Sequence, residues 1–269
     1  MRVVGVLIVV AVLVAVVAAF RGTWSPCGMS MLSTVTPLAE AGRGHRYSWT
    51  ASWFFGGAVM GGATTGVVSA MLAAGVHAIG LTSSTTYAVA AAAAVIAAAV
   101  DGAWIGSPIP HHRRQVNEDW LGRYRPWVYG IGFGWQIGTG LATYIMTAGV
   151  YLVVLLGALT GSPAVAFGVC VVFGACRGSM VLAGATITSA DRLRRFHERF
   201  EAWREPVRRA VIAIEIVAAA VLGLSGGPAS LAWAIGAAGA TTVAGVVRMG
   251  RRTTPAPMPD ACSVPGSVA

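Results

Sequence analysis

The chain has 269 residues, 56% of them hydrophobic and only 11% charged, with a mean hydropathy of +0.70. A soluble domain carries roughly a quarter charged residues, so this chain cannot wet a globular surface, and it is far too apolar for a disordered one. Its length accommodates about six to eight spans of ~20 residues with short loops, and a large extramembrane domain does not fit.

All 19 basic residues are Arg, against 10 acidic ones, giving a net charge of +9. Most of these Arg residues sit in short segments between apolar stretches. They therefore mark topology and lipid-phosphate contact rather than a nucleic-acid footprint. The expected partner is the lipid bilayer, and no nucleic-acid partner is expected.

Residues 3–20 are an unbroken apolar run behind Arg2. The run is similar to a secretory leader, but Ala18-Ala19-Phe20 is a poor cleavage site. A second membrane-compatible stretch, 23–38, follows at once and contains Pro26 and Pro37. Together they read as one broken membrane element, with a cleaved leader as the alternative. The later spans are 49–76, 87–105, 126–159 with a glycine-rich start, 163–188, 210–224 and 231–247. The Pro-rich segment 249–269 is expected to be a flexible tail.

The Arg residues alternate between loops. Arg43 and Arg46 follow the first element. Arg113, Arg114, Arg123 and Arg125 lie in the linker 108–125, seven Arg residues lie in 191–209, and three begin the tail. The loops between these hold none. Basic loops face the cytoplasm, which places the linker, segment 191–209 and the tail inside a plasma-membrane protein. In 191–209 the residues Leu193, Phe196, Phe200, Trp203 and Val207 recur at spacings of 3, 4, 3 and 4. This is one apolar stripe on an otherwise charged helix, expected to lie in the cytoplasmic interface or to dock a partner.

The order of spans is repeated. A long broken element and two ordinary spans (repeat one, 3–107) precede the linker. A second long element and two spans follow it (repeat two, 126–224), with one extra span after that. Three is odd, so the second unit enters inverted. The fold expected is an all-α polytopic membrane bundle of two inverted three-span repeats with broken first helices, plus one extra C-terminal span, within 1–248.

Aligning Gly28 with Gly138 sets the break Pro26-Cys27-Gly28 against Gln136-Ile137-Gly138, each followed by small and hydroxyl residues. Interrupted backbone is tolerated at membrane depth only where protein or water satisfies it. Both breaks are therefore expected to face a shared polar centre, and close helix packing is the competing use of such residues. A reactive Cys27 needs a positive neighbour, a helix N-terminus or water, and the helix after Pro26 supplies the second.

Two charges fall inside spans. Arg177 is near the middle of the fifth, where insertion costs roughly 2.5–3.5 kcal/mol, and Glu215 lies within the sixth. They either pair or line a polar cavity. Arg177 also adjoins Cys176, a second candidate thiol, while Cys170, six residues from Cys176, shares no helix face with it. Asp101, at the end of the third span, is expected to be an interfacial anchor. His111-His112 cannot share a helix face, so neither a metal nor a cofactor is expected.

Trp24-Ser25-Pro26-Cys27, with Pro37 ten residues later and an Arg-bearing turn before a Gly-rich span, resembles the transmembrane thiol–disulfide electron carriers of the cytochrome c biogenesis type (CcdA/DsbD). The resemblance is best over the first two spans. It implies a Pro-Cys pair in each of two symmetry-related spans, passing reducing equivalents from a thioredoxin-like protein to acceptors across the membrane. Here Cys27 would be the exchanging thiol and Cys176 a candidate partner, because Ile137 stands where the second Cys would be. A small-solute transporter or exporter, with a cavity of Pro26, Gly28, Gln136, Gly138, Arg177 and Glu215, is the alternative. A non-catalytic membrane subunit is a third reading.

Overall fold

A computed structural model describes residues 2–105 and 120–252. His111, His112, Arg113, Arg114 and Cys262 lie outside the described residues, as does most of the expected linker and tail. Among those described there is no strand. The helices, in chain order, are α1 (Arg2–Arg21), α2 (Pro26–Thr34), α3 (Pro37–Gly42), α4 (Tyr47–Ile79), α5 (Ser83–Asp101), α6 (Trp120–Arg123), α7 (Pro126–Gly138), α8 (Gly149–Leu159), α9 (Pro163–Ser179), α10 (Ala190–Ala202), α11 (Arg204–Ser225) and α12 (Pro228–Arg252).

The helix boundaries follow local chemistry. Pro, which lacks an N–H, opens α2, α3, α7 and α9, where that donor would be orphaned anyway. Ser25, Thr36 and Thr82 cap α2, α3 and α5 by accepting the backbone N–H three residues on, at 3.1, 3.1 and 3.2 Å. Gly80, with φ of 67°, ends α4 in the left-handed conformation that glycine adopts without strain.

Among the described residues, four helical stretches are long and apolar enough to cross a membrane: Gly5–Trp24, Tyr47–Ile79, Ser83–Asp101 and Pro163–Gly184. Four such spans are fewer than the seven apolar stretches of the sequence, and two of the three others are shortened for physical reasons. The stretch 126–159 is divided between α7, of 13 residues, and α8, of 11, by irregular backbone at 139–148. At 1.5 Å per residue neither half crosses ~30 Å alone. In α11, the opening turns carry Arg204, Glu205, Arg208 and Arg209, which shortens its apolar part.

The 33-residue α4 is the axis of the bundle, packed along α7 and α9. Glycine permits this. A Cβ on Gly138 would lie 2.1 Å from the Ala58 carbonyl oxygen, and one on Gly134 would lie 2.0 Å from that of Phe54. Gly62 on α4 meets Gly174 on α9 in the same way. Backbones at this separation gain dispersion contacts, which drive helix association where lipid removes the hydrophobic term. On the other side α1 packs on α8 and α9, and α5 packs on α11 and α12, around a core of Ala, Val and Leu side chains.

The α4–α7 seam gives a direct test. Gly138→Ala should force the two backbones apart and destabilise the fold by about 1–3 kcal/mol, the usual cost of overpacking. Gly56→Ala meets nothing within 4 Å and should be neutral or slightly stabilising. Thermal unfolding of the two detergent-solubilised variants checks this, and equal midpoints would contradict the close seam.

Candidate functional site

Cys27 is the second residue of α2, buried at the turn where the chain leaves α1. The chain passes through a 3-10 turn, Gly22–Trp24, then extends at Ser25 before Pro26 restarts the helix. Gly28 is needed here, because a Cβ would lie 2.3 Å from the Thr23 carbonyl oxygen. Pro26 itself is exposed. The thiol thus sits at the positive end of a helix whose first N–H groups have no partner within the helix.

Arg177, on α9, supplies the positive neighbour. It is 4% exposed, and its guanidinium donates from Nε to the Ile137 carbonyl (3.0 Å) and from Nη1 to the Ala19 carbonyl (3.3 Å). Both acceptors are among the last carbonyls of helices, α7 and α1, where the macrodipole is negative, and the Ile137 carbonyl also accepts the Gly140 N–H (3.2 Å). The cation thereby closes two helix ends without a carboxylate. Gly22 provides the space: a Cβ there would fall 1.4 Å from Nη1. The guanidinium lies within range of a charge interaction with Cys27.

The remaining sequence-selected residues are placed as follows. Gln136 is half-buried and donates to the Gly132 carbonyl of its own helix (3.3 Å). Gly138 lies in the α4 seam, and the irregular backbone follows it, from Thr139 onward. Cys170 is buried in the core and Cys176 half-buried beside it. No two of Cys27, Cys170 and Cys176 are joined by a disulfide. Glu215 is buried at 1% exposure, and among the described residues no ion pair joins it to Arg177.

Two further polar clusters are built on Glu40, which the sequence does not single out, and on Asp101. Glu40, at 0% exposure, accepts from Tyr129 (2.8 and 3.0 Å), Thr50 (2.5 Å) and Arg43 (2.8 Å), while Arg43 also donates to the Thr34 carbonyl at the end of α2 (2.9 Å). The network ties α2, α3, α4 and α7 together beneath the Cys27 segment. Its only sequence signal is Thr36-Pro37, a helix start that draws Glu40 out of the solvated loop. The second cluster is at Asp101, which accepts the Ala148 N–H (2.7 Å) and the Thr147 hydroxyl. Asp101 thus caps α8 from a different helix, an anchoring role.

The stripe of 191–209 is divided at Trp203, where α10 ends and α11 begins. Phe200 stacks on Trp24 at a centroid distance of 4.2 Å and accepts its indole N–H on its carbonyl (2.8 Å). His197 is hydrogen-bonded to Ser33 (3.0 Å). Part of the stripe is therefore spent covering the α1–α2 break, while Trp203 stays exposed.

With this geometry in hand, the chain is similar to the methylamine utilization protein MauF of several bacteria. Identity is 31% over 169 residues with the Methylophilus methylotrophus protein, covering 60% of this chain and 57% of that one. It is 32% over 165 residues with the Paracoccus denitrificans protein, covering 59% and 57%. The chain spans little more than half the length of these curated relatives. No protein-family model and no solved structure matches it. The apolar helices identify it as a helical membrane protein.

Arg177→Gln should expose the cost of this closure. Removing a buried charged donor from two helix-end carbonyls is worth about 1.5–3 kcal/mol, whereas Ser25→Ala, losing one cap, should cost about 1 kcal/mol. Heat denaturation in detergent should rank Arg177→Gln below Ser25→Ala, and the reverse order would remove Arg177 from its structural role.

Proposed function

We propose that the protein is a membrane accessory component of the MauF type that handles reducing equivalents through the Cys27 thiol. The observation carrying this reading is the placement of Cys27 at the start of α2 within the electrostatic reach of Arg177. A helix N-terminus and a neighbouring cation are the surroundings in which reactive cysteines are found. The Cys27 sulfur attacks one sulfur of a disulfide in a thioredoxin-like partner. A new S–S bond joins the two proteins, the partner's S–S bond breaks, and its second sulfur leaves as thiolate. A thiolate of a second, dithiol-bearing protein then attacks the Cys27 sulfur and releases the partner as a dithiol, and the second thiol of that protein displaces Cys27 as thiolate while closing its own disulfide, so two electrons pass from the dithiol protein to the partner. A single-thiol cycle suits a chain with Ile137 where the resemblance expects a second Cys.

The reading includes two inverted halves. It is supported by the direct packing of corresponding helices, α4 on α9 and α5 on α11. It also takes the Arg-rich segments as cytoplasmic in the plasma membrane. Transport of a small solute is the second reading. The irregular backbone at 139–148 favours it, since broken helices at membrane depth form substrate sites in transporters.

Thiol trapping in membranes tests the exchange. Wild-type protein should carry a mixed disulfide that disappears on reduction and in Cys27→Ser. Arg177→Lys should slow maleimide alkylation of Cys27 severalfold, because a point charge cannot keep the guanidinium geometry. A Cys27 that never changes oxidation state would remove the electron-transfer reading and leave transport.

A further inference from the structure

Glu215 is the buried group that the Cys27 chemistry does not use. Among the described residues neither of its carboxyl oxygens has a hydrogen-bond partner. Its crevice is lined by Val14, Val17 and Ala18 of α1, Gly149 of α8, and Val211 and Ile214 of its own helix, and is too tight for a water molecule. A Cβ on Gly149 would lie 3.2 Å from Glu215 Oε1, so the carboxyl lies directly against the first turn of α8.

The donors of that turn are already engaged. The Ala148 N–H and the Thr147 hydroxyl go to Asp101, and the Gly149 N–H goes to the Thr147 hydroxyl oxygen (3.0 Å). Nor does a cation face Glu215. Arg177 is held by the Ala19 and Ile137 carbonyls. Arg208 donates to the Asp101 carbonyl (2.9 Å), and Arg21 is coupled to Asp101. From α5, Asp101 is the charged group in electrostatic reach of Glu215, and α8 contributes hydroxyl and backbone but no charge. Residues 228–244 of α12 bear no titratable group.

An ionised carboxylate in such a place has neither donor, counter-ion nor water, which is among the costliest arrangements in a protein interior. A metal cation would need several more oxygen ligands, and the lining is aliphatic. A proton needs none of these. We propose that Glu215 is a reversible proton-binding site within the bundle, and that Asp101 across the first turn of α8 controls its release. Release breaks the carboxyl O–H bond, leaves carboxylates on either side of the first turn of α8, and passes the proton to water beyond the bundle. The site is independent of thiol exchange, although Ala18 beside Glu215 and Ala19 beneath Arg177 make α1 common to both.

Dicyclohexylcarbodiimide, which reacts with protonated carboxyls in apolar surroundings, tests this on the purified full chain in detergent. Peptide mapping by mass spectrometry should find an adduct on Glu215 that declines as pH rises and is absent in Glu215→Gln. In Asp101→Asn, without the neighbouring negative charge, the decline should move to lower pH. A water-soluble carbodiimide labelling the exposed Glu198 confirms that the chemistry works. If Glu198 is labelled but wild-type Glu215 stays unmodified by dicyclohexylcarbodiimide at every pH, the proton site is overturned. An unchanged pH profile in folded Asp101→Asn overturns the control by Asp101. The wild-type series decides the first question even if both variants misfold.

Discussion

A guanidinium buried among apolar helices ordinarily requires a carboxylate, and Arg177, expected near mid-span, lies in the last turn of α9. Arg177 has instead the C-terminal carbonyls of two helices, those of Ala19 and Ile137. Each helix end carries a partial negative charge, so the cation complements two ends that the breaks in α1–α2 and α7–α8 create. The arrangement joins α9 to both broken elements. Loss of this one group would remove the hydrogen bonds to both helix ends at once.

The glycine seams make this possible by placing α4 against both α7 and α9. With α4 held between them, the ends of α7 and α9 are fixed relative to one another, and Arg177 reaches Ile137 without strain from a long side-chain span. On the opposite side of the break, α10 covers α2 through the Trp24–Phe200 stack and the Ser33–His197 contact. Cys27 is thus buried at the start of a helix whose neighbouring residues Trp24 and Ser33 are covered by an amphipathic segment.

The breaks themselves were legible because proline and its preceding residue have narrow backbone preferences. Ser25-Pro26 and Thr36-Pro37 announce helix starts wherever the surrounding chain goes. The second break was harder. Gly138 marks close packing in α7, and the irregular segment begins one residue later at Thr139, where no proline signals it. The role of Glu40 was hidden for a related reason. A carboxylate beside Arg43 and His45 has the pattern of a solvated loop, and only the arrival of Tyr129 from 89 residues away encloses it.

Composition and the spacing of apolar runs were enough to establish a helical membrane protein, the broken first element and the amphipathic segment before α11. Those properties depend on neighbours a few residues apart and on the thickness of the bilayer. Which groups Arg177, Asp101 and Glu215 meet could be decided only by tertiary structure. Each partner comes from a different helix, and a change of a few degrees in helix rotation would exchange a carbonyl, a carboxylate or an aliphatic wall for another.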